Sequence, residues 1–116
     1  MDNRAGPVVY VASPFRGDMK GNVERTKEYS RFVLGRGAFP VNPILNLLGV
    51  LSEEDDREEA IRTDLQILRS GGISELWSFG KPTPGMVQEI EAARAAGIPV
   101  RYFGRDMEEA GDGKFT

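Results

Sequence analysis

The sequence predicts a single α/β domain: a doubly wound parallel sheet of four to five strands with helices on both faces. Segments typical of buried strands alternate with segments of helical periodicity from one end of the chain to the other, and this alternation implies right-handed crossovers. The 116 residues are enough for one hydrophobic core. We therefore expect one domain over 1–116, with its core over about 8–103 and a C-terminal tail over 104–116.

The first predicted elements are a strand, a crossover helix and a second strand. Residues 8–12 form a continuous apolar run, as in a strand that is buried on both faces of a parallel sheet. Helical periodicity over about 22–36 predicts the crossover helix, with Asn22 as its N-cap. The second strand is predicted over 38–41, and Pro43 prevents its ladder from continuing.

An apolar segment over 44–51 comes next, and it is too short to span a membrane. Two interpretations are open: a short buried helix packed on the core, or a lid over an apolar part of a ligand or a contact between subunits. Residues 52–55 then resemble a capping box. They predict a helix that runs to about Arg69 and is ended by two glycines.

The last predicted elements repeat the strand and helix alternation. Residues 75–80 predict the third strand, with Trp77 in the core. Thr83 is a good N-cap and is followed by a proline, which suits the first helical position. The helix is predicted to run to about Ala96, and residues 98–103 predict the next strand.

The composition excludes several classes of chemistry. The sequence contains no cysteine and no histidine, which excludes disulfides, thiol nucleophiles, Ser-His-Asp relays and Cys/His zinc sites. The net charge is −3 and the cations are scattered, so a nucleic-acid polymer is not an expected partner. No segment is typical of a membrane span or a signal peptide. We expect a cytoplasmic protein that binds a small molecule and needs no metal or organic cofactor.

The loops after the first three strands are predicted to meet at one edge of the sheet, where ligands bind in open α/β folds. The turn over 13–17 combines small, turn-forming and cationic residues, which is how an anion site begins. A glutamate in the second turn of the helix after the third strand lies beside a dipole that favours its ionised form. The candidate residues are Tyr10, Ser13, Arg16 and Gly17 from the first strand and its turn, Asn42 from the end of the second strand, Thr83, Gly85 and Glu89 from the third loop and its helix, and Asp64 from a neighbouring helix.

Two carboxyl groups, a tyrosine and an anion-binding turn are what cleavage of an N-glycosidic bond requires in a protein without histidine. One carboxylate attacks or stabilises the oxocarbenium-like anomeric carbon, and the other carboxyl group passes a proton to the departing base. Simpler roles are also open. Glu89 and Asp64 fit equally well as surface acids of their helices. Thr83 fits as a helix cap alone, and Arg16 as an ion-pair partner of Asp18.

The residues and their spacing resemble the nucleoside 2-deoxyribosyltransferase superfamily over about 8–103, nearly the whole chain. The pattern is Tyr10-x-x-Ser13-x-x-Arg16-Gly17, then Asp64 ahead of a strand, then Thr83-x-Gly85-x-x-x-Glu89 and Gly97. The turn, and the hydroxyl residue six positions before the glutamate, look most like the 2′-deoxynucleoside 5′-phosphate N-hydrolase branch or a related bacterial and phage branch of unknown function. Glu91 departs from the family pattern, which often has glycine there.

The resemblance implies a flavodoxin-like fold and a role for each matching residue. Glu89 matches the catalytic nucleophile, Asp64 the acidic partner near the base and sugar, and Tyr10 the tyrosine that orients the glutamate. The positions that hold a 5′-phosphate are matched by Ser13, Arg16, Gly17, Thr83 and Gly85. Family members commonly complete the site from a neighbouring subunit, so a homodimer or higher homo-oligomer is expected.

The expected function is hydrolysis or base transfer at the N-glycosidic bond of a nucleoside or (deoxy)nucleoside 5′-monophosphate. The alternative is a non-catalytic nucleotide-binding or sensing module, for example in a phage or defence system. Such a module keeps the anion-binding turn, but Glu89 or Asp64 is dispensable in it.

Overall fold

A computed structural model describes residues 6–51 and 56–111 of the chain. The predicted capping box over 52–55 lies outside these ranges. Within them, no helix is both long enough and apolar enough to cross a bilayer. The elements in chain order are β1 (Val8–Ala12), α1 (Met19–Gly35), β2 (Phe39–Val41), α2 (Pro43–Leu47), α3 (Arg57–Arg69), β3 (Glu75–Phe79), α4 (Pro84–Ala95), β4 (Val100–Phe103) and β5 (Glu109–Ala110).

The strands form one sheet in the order β2-β1-β3-β4-β5. The first four strands pair in parallel, and β5 is antiparallel to β4. The chain moves outward from β1 to β2 and then crosses back to β3, so the strand order reverses between β1 and β3. That position is the topological switch point of the flavodoxin-like order, where ligand sites of such sheets lie. The predicted fold class, a single doubly wound α/β sheet, is confirmed.

The sheet is buried on both faces, which explains why β1 is apolar throughout. One face packs against α3 and α4, and the other packs against α1. The first face contains Tyr10, Ala12, Leu76 and Tyr102 with Leu68, Met86, Ile90 and Ala93 of the helices. The second face contains Val9, Val11, Trp77, Phe79 and Phe103 with Tyr29 and Val33 of α1. The predicted place of Trp77 in the core is confirmed.

The start of α1 differs from the prediction. The helix begins at Met19, and its N-cap is Asp18, whose carboxylate accepts a hydrogen bond from the Gly21 backbone N–H at 3.1 Å. Asn22 is therefore not the cap, and it lies buried in the first turns of the helix. Aspartate and asparagine cap helices about equally well, so residue preference alone could not place the start. The predicted Thr83 cap of α4 is confirmed, since its hydroxyl oxygen accepts from the Met86 N–H at 3.2 Å.

The apolar segment over 44–51 does not form the buried core helix that was one of its two predicted interpretations. Its helical part, α2, ends at Leu47 after five residues. Leu48 and Val50 are exposed, while Pro43 at the start of α2 is buried. The segment instead forms a wall of the cavity described below. The segment over 44–51 is too short to cover a cavity wall and also bury all of its own apolar side chains.

Both edges of the sheet have distinctive strands. β2 is the free edge beside β1, and Pro40 lies in its middle, opposite Val9. At the other edge, part of the predicted tail folds back as β5. A tight turn allows this return: the Gly104 N–H donates to the Glu108 carbonyl at 3.0 Å, and Met107 adopts a positive φ of 66°.

Candidate active site

A cavity of about 340 Å³ opens at the carboxyl ends of β1, β2 and β3. This volume is within the range of small-molecule sites, about 300–1,000 Å³. Six of the nine predicted site residues line it, Tyr10 contacts one of them from behind, and Asn42 and Gly17 do not line it. The wall is formed by Val11, Ser13, Phe15 and Arg16, by Pro43, Ile44, Leu47, Leu48 and Leu51, by Arg57, Ala60, Ile61 and Asp64 of α3, and by Thr83, Pro84, Gly85, Met86 and Glu89.

Two carboxyl groups meet at the floor of the cavity because α3 packs against α4. Glu89 comes from α4, and its Oε2 accepts a hydrogen bond from the Tyr10 hydroxyl, which projects from the centre of the sheet. Asp64 comes from α3 and is close enough to interact with both residues. Its Oδ1 is buried and has no hydrogen-bond partner among the described residues. The site therefore has one carboxyl group held in place by a hydrogen bond and a second one with a buried, unpartnered oxygen.

Burial controls the protonation of this pair. Burial raises the pKa of Asp64 from its ordinary value of 3.8 to about 6, although hydrogen bonding to Glu89 and Tyr10 opposes the shift. Burial also raises the pKa of Glu89 well above 4.5; the Tyr10 hydrogen bond lowers it, and the nearby Asp64 raises it further. Burial and the two carboxylates raise the pKa of Tyr10 well above 10, so it stays a hydrogen-bond donor. The pair thus keeps a proton to higher pH than ordinary carboxyl groups do.

The first turn of α4 forms the polar end of the cavity. Thr83 accepts one backbone hydrogen bond with its hydroxyl oxygen, and the hydroxyl proton is still available for donation to a ligand. A Cβ placed on Gly85 would come no closer than 4.0 Å to Thr83 Oγ1, and Gly85 does not have a positive φ. The fold therefore does not require glycine at this position. Its absence of a side chain leaves the helix N-terminus open to an anionic group.

Ser13 is positioned by a polar network that includes Asn42. The hydroxyls of Ser13 and Thr26 are 2.6 Å apart. The Asn42 amide nitrogen lies within hydrogen-bond distance of three acceptors, which share its two hydrogens: Thr26 Oγ1 at 2.9 Å, Ser30 Oγ at 2.9 Å and the Thr26 carbonyl at 3.2 Å. Because Thr26 accepts from Asn42, it can donate to Ser13, and the Ser13 proton can then point into the cavity. Asn42 supports the wall from behind and does not form part of it.

The turn between β1 and α1 is fixed by Asn22. Its side-chain amide donates to the carbonyl oxygens of Phe15 and Arg16 at 3.0 and 3.1 Å. Arg16 is exposed and borders the mouth of the cavity. Gly17 has a φ of 90°, a conformation that side-chain-bearing residues rarely adopt, and it lets the chain turn into the helix. Asp18 forms its ion pair with Arg25 at 3.3 Å.

Much of the remaining lining is apolar, and it includes Phe15, Ile44, Leu47, Leu48 and Ile61. A ligand that fits this cavity therefore combines an apolar or aromatic part with a polar, anionic part. Within the described ranges, no group of three or more acidic side chains is placed to hold a metal ion.

Two residues that organise the site were not predicted from the sequence. Thr26 binds Ser13, and Asn22, which was predicted as a helix cap, binds the turn after β1. Both are polar, buried and one helical turn apart on α1. Polar residues at that spacing on the face predicted to be buried were the available signal. Glu91, which departs from the family pattern, is exposed on α4 and does not crowd the site.

Comparisons with known proteins agree with this geometry at the level of the fold. Residues 7–103 match a family model described as a domain of unknown function (DUF7768). A 2-deoxyribosyltransferase from Bacillus psychrosaccharolyticus superposes with a TM-score of 0.64 at 20% identity, over 84% of this chain and 72% of that one. A 2-deoxyribosyltransferase from Leishmania mexicana gives 0.57 at 14% identity, over 92% and 80%. No curated protein matches the sequence significantly.

Proposed function

The chain belongs to the DUF7768 family, a domain of unknown function, and we propose that it cleaves the N-glycosidic bond of a nucleoside or (deoxy)nucleoside 5′-monophosphate. The observation that carries the proposal is the arrangement at the cavity floor. There, a tyrosine donates to one buried carboxyl group, Glu89, and a second carboxyl group, Asp64, faces the same space. The similarity of the fold to two 2-deoxyribosyltransferases supports the same chemistry.

In the proposed reaction Glu89 is the nucleophile. Tyr10 binds Oε2, which leaves Oε1 to attack C1′ of the sugar. The C1′–N bond breaks, its electron pair leaves with the base, and the Asp64 carboxyl group supplies the proton that neutralises the base. Water then attacks C1′ of the glycosyl ester, releases Glu89 and returns a proton to Asp64. If a second base attacks instead, the outcome is base transfer.

The polar end of the cavity is the proposed site of the 5′-phosphate. Ser13 and Thr83 offer hydroxyl donors, Arg16 offers a positive charge at the mouth, and Gly85 leaves the N-terminus of α4 accessible. Threonine at position 83 favours a phosphate, because a carboxylate there would repel it. The apolar end, with Leu47 and its neighbours, takes the base.

Assembly of identical chains and the acceptor of the glycosyl group are further parts of the proposal. A homodimer or higher homo-oligomer is expected from the resemblance to the superfamily, and light scattering coupled to size-exclusion chromatography measures it. Incubation with and without a free acceptor base separates a hydrolase from a transferase, since a transferase produces a new nucleoside only when the acceptor is present.

The decisive experiment measures release of free base by chromatography. The panel contains deoxynucleoside and ribonucleoside 5′-monophosphates and the corresponding nucleosides, with and without an acceptor base. We expect Glu89→Gln to lower the rate by a factor of about 10³ or more, because the nucleophile is lost. Glu91→Gln is the matched control, since Glu91 is exposed on the same helix; its rate is expected to equal that of the wild type.

Absence of base release over the whole panel would contradict the proposal. If nucleotides then still bind, and Arg16→Gln abolishes that binding while Glu89→Gln does not, the chain is a nucleotide-binding module. Equal loss of activity in Glu89→Gln and Glu91→Gln would also contradict the assigned role of Glu89, because it would point to a general effect on α4.

A further inference from the structure

A second cavity, of about 250 Å³, lies on the other side of the turn that follows β1. It is bordered by Pro14 of that turn, by Asn22, Arg25 and Tyr29 of α1, by Gly80 and Lys81 after β3, and by Arg105 after β4. None of the residues that border this second cavity lines the candidate active site. The two cavities are therefore distinct sites.

Positive charge dominates this second cavity. Arg25, Lys81 and Arg105 border it, and the negative charge nearby is that of Asp18, whose side chain is 69% exposed and pairs with Arg25 at 3.3 Å. Lys81 and Arg105 form no ion pair with another described residue. Three like charges around one small cavity repel each other, and an anion among them removes that repulsion.

Arg25 is held in place before any ligand binds, and the stem of Arg105 lies against the backbone of Gly80. Arg25 Nη2 donates to Asn22 Oδ1 at 2.8 Å, and Asn22 is 9% exposed. The stem of Arg105 packs over Gly80: a Cβ added to Gly80, whose φ is 78°, would lie 3.4 Å from Arg105 Cγ. A pre-organised guanidinium group such as that of Arg25 suits phosphate oxygens, because less rotamer entropy is lost on binding.

We propose that this second cavity binds a phosphate-sized oxyanion. Two sources share this chemistry: free phosphate, and the outer phosphates of a nucleotide whose sugar and base occupy the first cavity. The second source is included because the same two loops, after β1 and after β3, border both cavities. The proposal does not depend on glycosidic cleavage.

Binding at the second cavity acts on the first through Asn22. This side chain accepts from Arg25 and donates to the carbonyl oxygens of Phe15 and Arg16. An anion that immobilises Arg25 therefore also orders the turn that carries Ser13 and Arg16. Occupancy of the second cavity is expected to strengthen nucleotide binding in the first, and by linkage the effect is reciprocal.

Isothermal titration calorimetry with inorganic phosphate and with pyrophosphate tests the proposal directly. The test variant is Lys81→Gln with Arg105→Gln; both side chains are exposed. The control, Lys27→Gln with Arg62→Gln, removes the same charge from exposed ion pairs elsewhere. We expect the test variant to bind pyrophosphate about tenfold more weakly and the control to bind it within twofold of the wild type. Should the double variant fail to fold, each single substitution is expected to weaken binding about threefold.

Titration with nucleoside mono-, di- and triphosphates, in the wild type, in the test variant and in Arg16→Gln, separates the two sources. If the outer phosphates of the nucleotide fill the cavity, the loss in the test variant grows from the mono- to the triphosphate. If free phosphate fills it, inorganic phosphate binding is lost in the test variant and kept in Arg16→Gln. The proposal would be overturned if the test variant bound phosphate, pyrophosphate and all three nucleotides as tightly as the wild type does. This outcome is independent of the result of the base-release assay.

Discussion

Tyr10, on β1 of the sheet, lowers the pKa of Glu89 through a hydrogen bond. Its hydroxyl is buried, it donates to the carboxylate, and its own pKa is raised by burial and by the two carboxyl groups. It therefore remains protonated, and a hydrogen-bond donor, at neutral pH. A hydrogen bond to the charged form of an acid favours that form, so Tyr10 offsets part of the effect that burial has on Glu89.

Tyr10→Phe is expected to shift the pH profile of base release. In the proposed reaction Glu89 must be ionised to attack, so kcat/KM is expected to fall on the acidic side as Glu89 becomes protonated, at a pH above its ordinary pKa of 4.5. Loss of the hydrogen bond raises the pKa of Glu89 further, which moves this limb to higher pH. We expect a rate about 10–100-fold lower at neutral pH, with the acidic limb of the profile moved to higher pH.

The matched control for that measurement is Tyr102→Phe. Tyr102 is buried in the same core cluster, but its hydroxyl accepts from Arg94 at 2.7 Å and does not contact the carboxyl pair. Its pH profile is expected to match that of the wild type. An acidic limb that stays in place in Tyr10→Phe would show that the tyrosine does not control the charge of Glu89.

Gly85→Ala separates the requirements of ligand binding from those of folding. The added methyl group has space in the protein, and alanine is the better helix former, so stability is expected to stay the same or rise by a few tenths of a kcal/mol. The methyl group occupies the approach to the N-terminus of α4, so the affinity for a 5′-monophosphate is expected to fall about tenfold. Calorimetry measures the affinity, with Gly35→Ala at the open end of α1 as the control. Unchanged affinity would place the phosphate elsewhere.

Some of these residue roles follow from sequence, and others depend on packing. The Thr83 cap and the place of Glu89 beside it could be predicted because both depend on local helix chemistry. The direction of the Asn42 side chain could not be predicted, because it depends on which residue of α1 packs against the end of β2. The predicted contact of Asn42 with a ligand becomes, in the structure, a contact with Thr26.

At the scale of elements, Asn42 joins the end of β2 to α1 and, through Thr26, to the turn after β1. We predict that Asn42→Ala lowers the free energy of unfolding by about 2 kcal/mol, because buried polar groups lose their partner. We also predict a higher KM with a nearly unchanged kcat, because Ser13 is displaced while the carboxyl pair stays in place. Denaturant unfolding and steady-state kinetics measure the two effects.

Asn46→Ala provides the comparison for Asn42→Ala. Asn46 is exposed on α2, four residues along the chain, so neither stability nor KM is expected to change by a measurable amount. If Asn42→Ala lowers stability but leaves KM as it is in the wild type, the network supports the fold alone.

The elements themselves were predictable wherever the local pattern was unambiguous. β1 and α4 form as predicted. The burial of β1 follows from its run of consecutive apolar residues, and the start of α4 follows from its N-cap and the proline beside it. The start of α1 could not be predicted from the sequence, because Asp18 and Asn22 are both good N-caps. The conformation of 44–51 could not be predicted either, because its apolar residues cover a cavity that forms only when α3 is in place.

At the scale of the whole molecule, the carboxyl pair makes stability depend on pH. The pKa of Asp64 is about 6 in the folded protein, compared with an ordinary value of 3.8. Between these values the folded state binds more protons than the unfolded state, so the free energy of unfolding falls as pH rises from about 4 to about 6. A shift of this size corresponds to a loss of about 2 kcal/mol over this range.

Asp64→Asn is expected to remove most of that loss and to make the protein more stable at pH 7 while abolishing rapid base release. Urea unfolding measured from pH 4 to pH 8 follows the effect, with Glu58→Gln on the exposed side of α3 as the control. A variant that keeps the wild-type slope would show that Asp64 is not the group that takes up the proton. Stability that increases when a functional acid is removed is common at active sites.

The β2 edge of the sheet bears on aggregation of the protein at high concentration. The Phe39 N–H points inward and donates to Pro7 at 2.8 Å; because N–H groups alternate in direction along a strand, the nitrogen of Pro40 faces outward. That nitrogen carries no hydrogen, so the edge lacks the donor with which an additional strand would pair. Phe39, 62% exposed on this edge, would otherwise favour strand addition and fibril growth. Pro40 is therefore expected to oppose aggregation through the β2 edge of the sheet.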